Sequence, residues 1–130
     1  MAFILKQSDS YSWPVEFKIP TEGGRYAKQS FTVELRRVPS SEAERMAAEF
    51  QAFFRAAEVG IIDDEIRKPA DMARDLVVGW DGITDADGDP IKYSAATLNQ
   101  LLEVHGAASA IMGAWVESLS GARQKTSAAL

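Results

Sequence analysis

A turn-rich segment near the middle of the chain contains the best candidate for a chemical site, four aspartates within the nine residues 81–89. The four are Asp81, Asp85, Asp87 and Asp89. Clustered carboxylates of this kind bind Ca²⁺ in EF-hand loops. With Gly88 at the sixth position of such a loop, however, Ile83 takes the place of the first ligand and Ser94 that of the bidentate glutamate. The pattern therefore favours tight Asp-Gly turns, and we expect no metal and no cofactor.

Nucleophiles and general bases occur without the partners that catalysis requires. The chain has no cysteine and a single histidine, His105, which directly precedes Gly106. This position is typical of a helix C-terminus, where a cationic imidazole is favourable. No serine lies in a nucleophile elbow, and neither a G-x-G-x-x-G nor a Walker pattern occurs. We therefore predict that the protein is not an enzyme.

The overall charge narrows the classes of partner. The 130 residues carry 14 basic and 19 acidic side chains, a net charge of −5, which argues against non-specific binding to nucleic acid. The acidity is regional, with +2 in residues 1–39, −8 in residues 40–89 and +1 in residues 90–130. Residues 2–5 form an apolar run that is too short for a signal peptide or a membrane span. We therefore expect no membrane association and a cytoplasmic protein.

Two segments alternate between apolar and polar residues and predict half-buried strands. Residues 13–19 place Val15, Phe17 and Ile19 on one face, and residues 31–37 do the same with three further apolar side chains. The proline and the Gly-Gly pair between them predict a long hairpin loop over residues 20–29. The exposed edges of such a hairpin can pair with another copy of the chain, so self-association is an open question.

The rest of the chain predicts helices. Ser41 and Glu44 form a capping-box pattern before an apolar stripe, and Gly60 is expected to end this first helix. The stripe, which we expect to pack into the core, comprises Met46, Phe50, Phe53, Phe54 and Ala57. A second helical stretch begins at Asp63, and Pro69 either kinks it or begins a new helix. Ser94 caps a further helix, and the last helix follows His105 and Gly106.

These elements predict an α+β fold in which an N-terminal antiparallel β-hairpin packs on four or five α-helices. We expect a single domain over residues 1–120 and a flexible tail over residues 121–130, where the periodicity is weak. Three tryptophans and six phenylalanines exceed what a small core requires. Because aromatic side chains dominate interface energetics, the surplus indicates a protein-binding module.

A motif within residues 77–103 makes this function more specific. It has an apolar pair and a glycine before a tryptophan, two Asp-Gly turns, a proline and an aromatic-Ser helix start. In this chain these are Val77-Val78-Gly79-Trp80, Asp81-Gly82, Asp87-Gly88, Pro90 and Tyr93-Ser94. The segment resembles the tail assembly chaperones of long-tailed bacteriophages. The layout around it, a hairpin before the motif and a final helix with a short basic tail after it, also resembles that family.

The resemblance implies a non-catalytic protein that binds the tape measure protein while the tail tube polymerises around it. The tail tube protein is a second candidate partner. Such chaperones act in the host cell cytoplasm and are absent from the mature virion. As partner-binding residues we predict Val77, Val78, Trp80 and Ile83, with core packing as their alternative role.

Two other functions compete with this interpretation. A tail-completion or head–tail connector subunit would form a permanent part of the virion. A calcium-binding regulator or a small enzyme would use the aspartates of residues 81–89.

Overall fold

A computed structural model describes residues 2–121. It shows a three-stranded antiparallel sheet, in the order β1-β2-β3, with four α-helices. The elements are β1 (Ser10–Thr21), β2 (Arg25–Arg36), α1 (Ser40–Val59), α2 (Pro69–Leu76), β3 (Val77–Asp81), α3 (Ala95–Leu102) and α4 (Ala107–Ser120). This confirms the predicted α+β class. The tail predicted for residues 121–130 lies, apart from Gly121, outside the described residues.

The hairpin is longer and its turn tighter than the sequence indicated. β1 and β2 pair without interruption from Ser10↔Arg36 to Thr21↔Arg25. A single 3-10 turn, Glu22–Gly24, joins them, so the loop predicted over residues 20–29 is wrong. Gly23 and Gly24 both adopt positive φ angles, 74° and 73°, which only glycine accepts readily. The strands therefore continue to the end of the hairpin and form a two-stranded arm.

The direction of the backbone groups follows from the hydrogen bond that Arg37 N donates to Asp9 O, 2.9 Å. This bond extends the β1–β2 register by one pair. Because bonded pairs alternate along an antiparallel ladder, odd-numbered residues bond across the hairpin and even-numbered ones turn to its outer edges. Pro14 and Pro20 are both even-numbered, so their backbone nitrogens face the outer edge of β1. Because proline has no N–H, no hydrogen bond of the hairpin is lost there.

β3 completes the sheet beside the outer edge of β2. It runs antiparallel to residues 32–35 of that strand, with an irregularity between Glu34 and Leu35. Gly82, at φ 86°, then turns the chain away. The sequence pattern did not predict this pairing, because a five-residue strand with a glycine at its centre carries almost no alternation.

The helix boundaries match the sequence signals in part. Gly60 ends α1 in a left-handed conformation, as predicted, but the capping box at Ser41 is wrong because α1 begins at Ser40, after Pro39, with no side-chain cap. Residues 61–68 form no helix, so the predicted start at Asp63 is wrong. Pro69 instead begins α2, the second of the two alternatives.

The last two helices agree more closely with the sequence. Ser94 caps α3 through a reciprocal capping box with Thr97, with 3.1 Å between Thr97 N and Ser94 Oγ. Gly106, at φ 87°, separates α3 from α4. None of the helices within residues 2–121 combines the length and the hydropathy that a membrane span requires.

The core lies between the inner face of the sheet and the helices. Every buried residue among residues 2–121 is hydrophobic, proline or glycine, and the indole N–H of Trp115 is the one polar group among their side chains. The largest fully buried ones are Val15, Val33, Leu35, Met46, Met72, Leu76, Val77, Ile111, Met112 and Trp115. The inward positions of both hairpin strands are odd-numbered, so the residues that bond across the hairpin also build the core.

Partly exposed ion pairs at the surface join α1, α2, β2 and the segment between α1 and α2. Arg36 contacts Asp75 at 3.2 Å and Glu42 at 3.6 Å, and Arg67 contacts Asp75 at 3.4 Å and Glu49 at 3.8 Å. Pairs of this exposure each contribute little stability. They do balance part of the negative charge of residues 40–89.

Replacing Trp115 with alanine should lower the free energy of unfolding by about 3–5 kcal/mol, because a large buried side chain leaves a cavity. Its side chain is 0% exposed, whereas that of Leu119, on the same helix, is 49% exposed. Leu119→Ala is therefore the matched control, with an expected loss of about 1 kcal/mol or less. Urea unfolding followed by circular dichroism measures both variants, and equal losses would contradict this description of the core.

Candidate partner-binding site

The four residues predicted to bind a partner have different environments. Val77 is buried in the core and Val78, on the same strand, is 42% exposed. Trp80 and Ile83 are half-buried against the core. The structure therefore does not bring the four together on one exposed face.

Trp80 forms part of a hydrogen-bonded clasp beside β3. Its indole Nε1 donates to the carbonyl of Ile91 at 2.8 Å, and its ring meets Tyr93 edge-on with 5.3 Å between centroids. The Tyr93 hydroxyl in turn donates to the carbonyl of Val77 at 2.9 Å. These contacts tie residues 91–93 to the strand and give both Trp80 and Tyr93 a structural role.

The aspartate segment forms the tight turns that its sequence indicates. Asp85 Oδ1 accepts hydrogen bonds from the backbone N–H groups of Asp87 (2.9 Å) and Asp89 (3.1 Å). A β-bridge between Thr84 and Pro90 closes the turn. The three carboxylates are exposed and have ligand atoms within 4.8 Å of one another. Asp85 already has a structural role here, because its side chain satisfies two turn N–H groups.

A groove along α1, bordered by α4, is a surface that the sequence did not reveal; we call it the helix groove. It measures about 450 Å³, and Val116 of α4 lines it together with four residues of α1, namely Phe50, Gln51, Phe54 and Arg55. The phenylalanines pack edge-to-face, with 4.8 Å between the Phe50 and Phe54 centroids and 5.9 Å between those of Phe53 and Phe54.

The prediction that the whole phenylalanine stripe packs into the core is wrong, because Phe54 remains at the surface. Phe50 is buried, Phe53 is half-buried and Phe54 is 43% exposed. Exposed apolar side chains also occur at Val59, the last residue of α1, and just after it at Ile61 and Ile62. The signal available in the sequence was the width of the stripe, since Phe50, Phe53, Phe54 and Ala57 together cover more of the helix than one packing face needs.

A second groove lies where the hairpin arm passes α3; we call it the strand groove. It measures about 280 Å³, and Ile83 is among its apolar lining residues. The others are Phe17, Ile19, Phe31, Leu101 and Val104. Thus one of the four predicted residues borders a groove, although the groove was not itself predicted.

Comparison with known families identifies the origin of the chain. A family model described as "YdaY prophage protein" matches residues 28–127, which include most of β2, all of β3 and all four helices. The chain belongs to this prophage protein family. It is therefore phage-derived, in agreement with the broader part of the resemblance seen in its sequence. No match was found among curated proteins or among solved structures.

In this YdaY family member, removing one hydrogen bond of the clasp should cost about 1 kcal/mol of unfolding free energy, because each bond is partly buried. Tyr93→Phe removes only the bond to Val77, whereas Trp80→Phe removes the bond to Ile91 together with part of the indole packing and should cost more. Tyr26→Phe, at an exposed ring on the hairpin arm, is the control and should have almost no effect. Urea unfolding measures all three, and losses no larger than the control's would show that the clasp does not stabilise β3.

Proposed function

We propose that this prophage protein is a tail assembly chaperone. In this role it binds the tape measure protein, assists polymerisation of the tail tube and carries out no catalysis. Its phage family and the motif of residues 77–103 both support the proposal. It would act in the host cell cytoplasm and be absent from the mature virion. The tail tube protein is a second candidate partner.

The observation that carries the proposal is the helix groove. A tape measure protein is a long, helix-rich chain whose apolar faces need temporary cover before the tube surrounds them. An amphipathic helix binds by laying its apolar face into a groove between two other helices. α1 provides most of the helix groove and α4 borders it through Val116; within it Phe50 is buried and Phe54 is exposed.

The surroundings of the helix groove extend this surface in a way that suits a helix. Val59, the last residue of α1, and Ile61 and Ile62 just after it are exposed and add to the apolar area that a partner could cover. Arg55 lines the groove beside Phe54 and offers a cation to an acidic residue on the partner helix. Central aromatic side chains with a charged rim are typical of protein interfaces.

Phe54→Asp should reduce co-purification with the co-expressed tape measure protein by at least about tenfold, because a charge at the rim of the helix groove opposes burial of the partner's apolar face. Phe54 is partly exposed, so the variant should remain folded by circular dichroism. Val78→Asp is the matched control, since Val78 is exposed to the same degree (42% against 43%) but lies on β3.

The pair of variants also tests the residues predicted from the sequence. If Val78→Asp abolishes co-purification and Phe54→Asp does not, the partner binds at β3 and the helix groove is not the site. If neither variant reduces co-purification, the proposed binding surface is wrong.

Purified phage particles distinguish the chaperone from the connector alternative. Quantitative mass spectrometry of particles should detect the tape measure protein and none of this chain. Detection of the chain at a fixed copy number per particle would contradict the chaperone proposal and favour a structural tail-completion or connector subunit.

A further inference from the structure

Part of the outer edge of β2 has no strand paired with it within residues 2–121. β3 pairs only with residues 32–35, and Gly82, the next residue, still lies against Phe31, since a Cβ at Gly82 would be 3.6 Å from the Phe31 Cα. Residues 25–30 therefore bond to β1 on one side and face an unpaired lane on the other. By the parity of the ladder, the backbone N–H and C=O groups of Tyr26, Lys28 and Ser30 point into this lane.

This edge differs from the opposite edge of the sheet. The outer edge of β1 contains Pro14 and Pro20, and proline at an edge removes the donor that an added strand needs. Residues 25–31 contain no proline. The open part of β2 therefore offers a complete set of donors and acceptors to another strand.

The strand groove lies directly beside this open edge. Phe31 of β2 and Ile83, just past the end of β3, are both among its lining residues. A strand added to β2 would place alternate side chains over this groove, because side chains alternate between the two faces of a sheet. The site therefore combines backbone pairing with an apolar pocket.

The segment before β1 has the features of a strand that could fill the site. Phe3, Ile4 and Leu5 are three consecutive apolar side chains, exposed by 78%, 72% and 87%. Their segment contains neither glycine nor proline and has no regular secondary structure. In an extended conformation Phe3 and Leu5 share one face. Such a run of uncovered apolar side chains typically marks an interaction site.

The segment is too short to fill the open edge of its own chain. Ser10 pairs with Arg36, six residues along β2 from Ser30. The distance from Ser10 to the lane beside Ser30 is about 22 Å, because it spans six residues along the strands and two spacings between strands. The five residues from Leu5 to Ser10 reach at most about 18 Å. The strand that pairs with this edge must therefore come from another molecule.

We propose that residues 2–6 of one copy add as a strand to the open edge of β2 in a second copy, with Phe3 and Leu5 over the strand groove. The contact is heterologous, so each copy can both donate a segment and accept one, and the chain can form rings or longer assemblies. A symmetric antiparallel pairing of two β2 edges centred on Lys28 is disfavoured, because it would place Lys28 of one copy directly opposite the same cation of the other.

Light scattering with size-exclusion chromatography tests the proposal at several concentrations. The wild-type chain should show a mass that rises with concentration above the monomer's 14.2 kDa. The donor-defective double variant Phe3→Ser/Leu5→Ser and the acceptor-defective variant Lys28→Pro should each stay monomeric. Mixed in equal amounts, they should form a two-chain complex of about twice the monomer mass, because each retains the half-site that the other lacks.

Two further variants distinguish loss of pairing at the open edge from misfolding of the chain. Lys18→Pro is the matched control, since Lys18 lies directly opposite Lys28 but turns its N–H to the outer edge of β1; it should associate like wild type. Val104→Glu places a charge in the strand groove without altering the backbone and should block association even if Lys28→Pro fails to fold. A monomeric wild type at all concentrations, association of the donor-defective variant, or failure of the mixture to pair would overturn the proposal.

Discussion

The structure depends most on the register between β1 and β2. Because Ser10 pairs with Arg36, the odd-numbered residues of both strands bond across the hairpin and also face inward. Val15, Val33 and Leu35 thereby join the core, while the even-numbered residues leave their backbone groups at the two outer edges. A shift by one residue would turn the apolar set to the opposite face and bring the backbone of Pro14 and Pro20 into the ladder. The position of β3 follows from the same register, since it bonds to the even-numbered edge of β2.

The sequence predicted those parts of the fold that depend on local signals. The alternation of Val15, Phe17 and Ile19 predicted a strand, Ser94 a helix start and Gly60 a helix end, and all three are confirmed. Local signals did not always decide the outcome, because contacts with distant parts of the chain can override them. Acidic residues at 63–65 indicated a helix start, but no helix follows, and α2 begins only at Pro69.

The candidate site was less predictable than the fold for the same reason. Trp80 stands out in the sequence, but its role depends on the carbonyl of Ile91, eleven residues away. Phe54 belongs to an ordinary apolar stripe, and only the packing of α1 against its neighbours determines that its ring remains at the surface. Ile83 was identified, although the groove that it borders requires the hairpin arm and α3 to meet. Such surfaces form between elements, so a one-dimensional pattern cannot show them.

The two exposed apolar surfaces suit different kinds of partner. We propose the helix groove, which lies along α1 beside α4, as a site for a helix, whereas the open edge of β2 offers backbone groups to a strand. They are built from different elements, so a chain held to another copy through its hairpin arm keeps its helix groove accessible. A chaperone of a very long helical protein would benefit from this separation, because several copies could cover neighbouring stretches of one partner.

Hydrogen exchange of the chain, free and in complex with the tape measure protein, tests the central claim most directly. The proposed function predicts slower exchange in the complex over residues 50–66, which contain the end of α1 and the apolar segment that follows it, with little change over residues 77–83. Unchanged exchange over residues 50–66 in a complex that has formed, or slowing confined to residues 77–83, would contradict the assignment of the helix groove as the binding site.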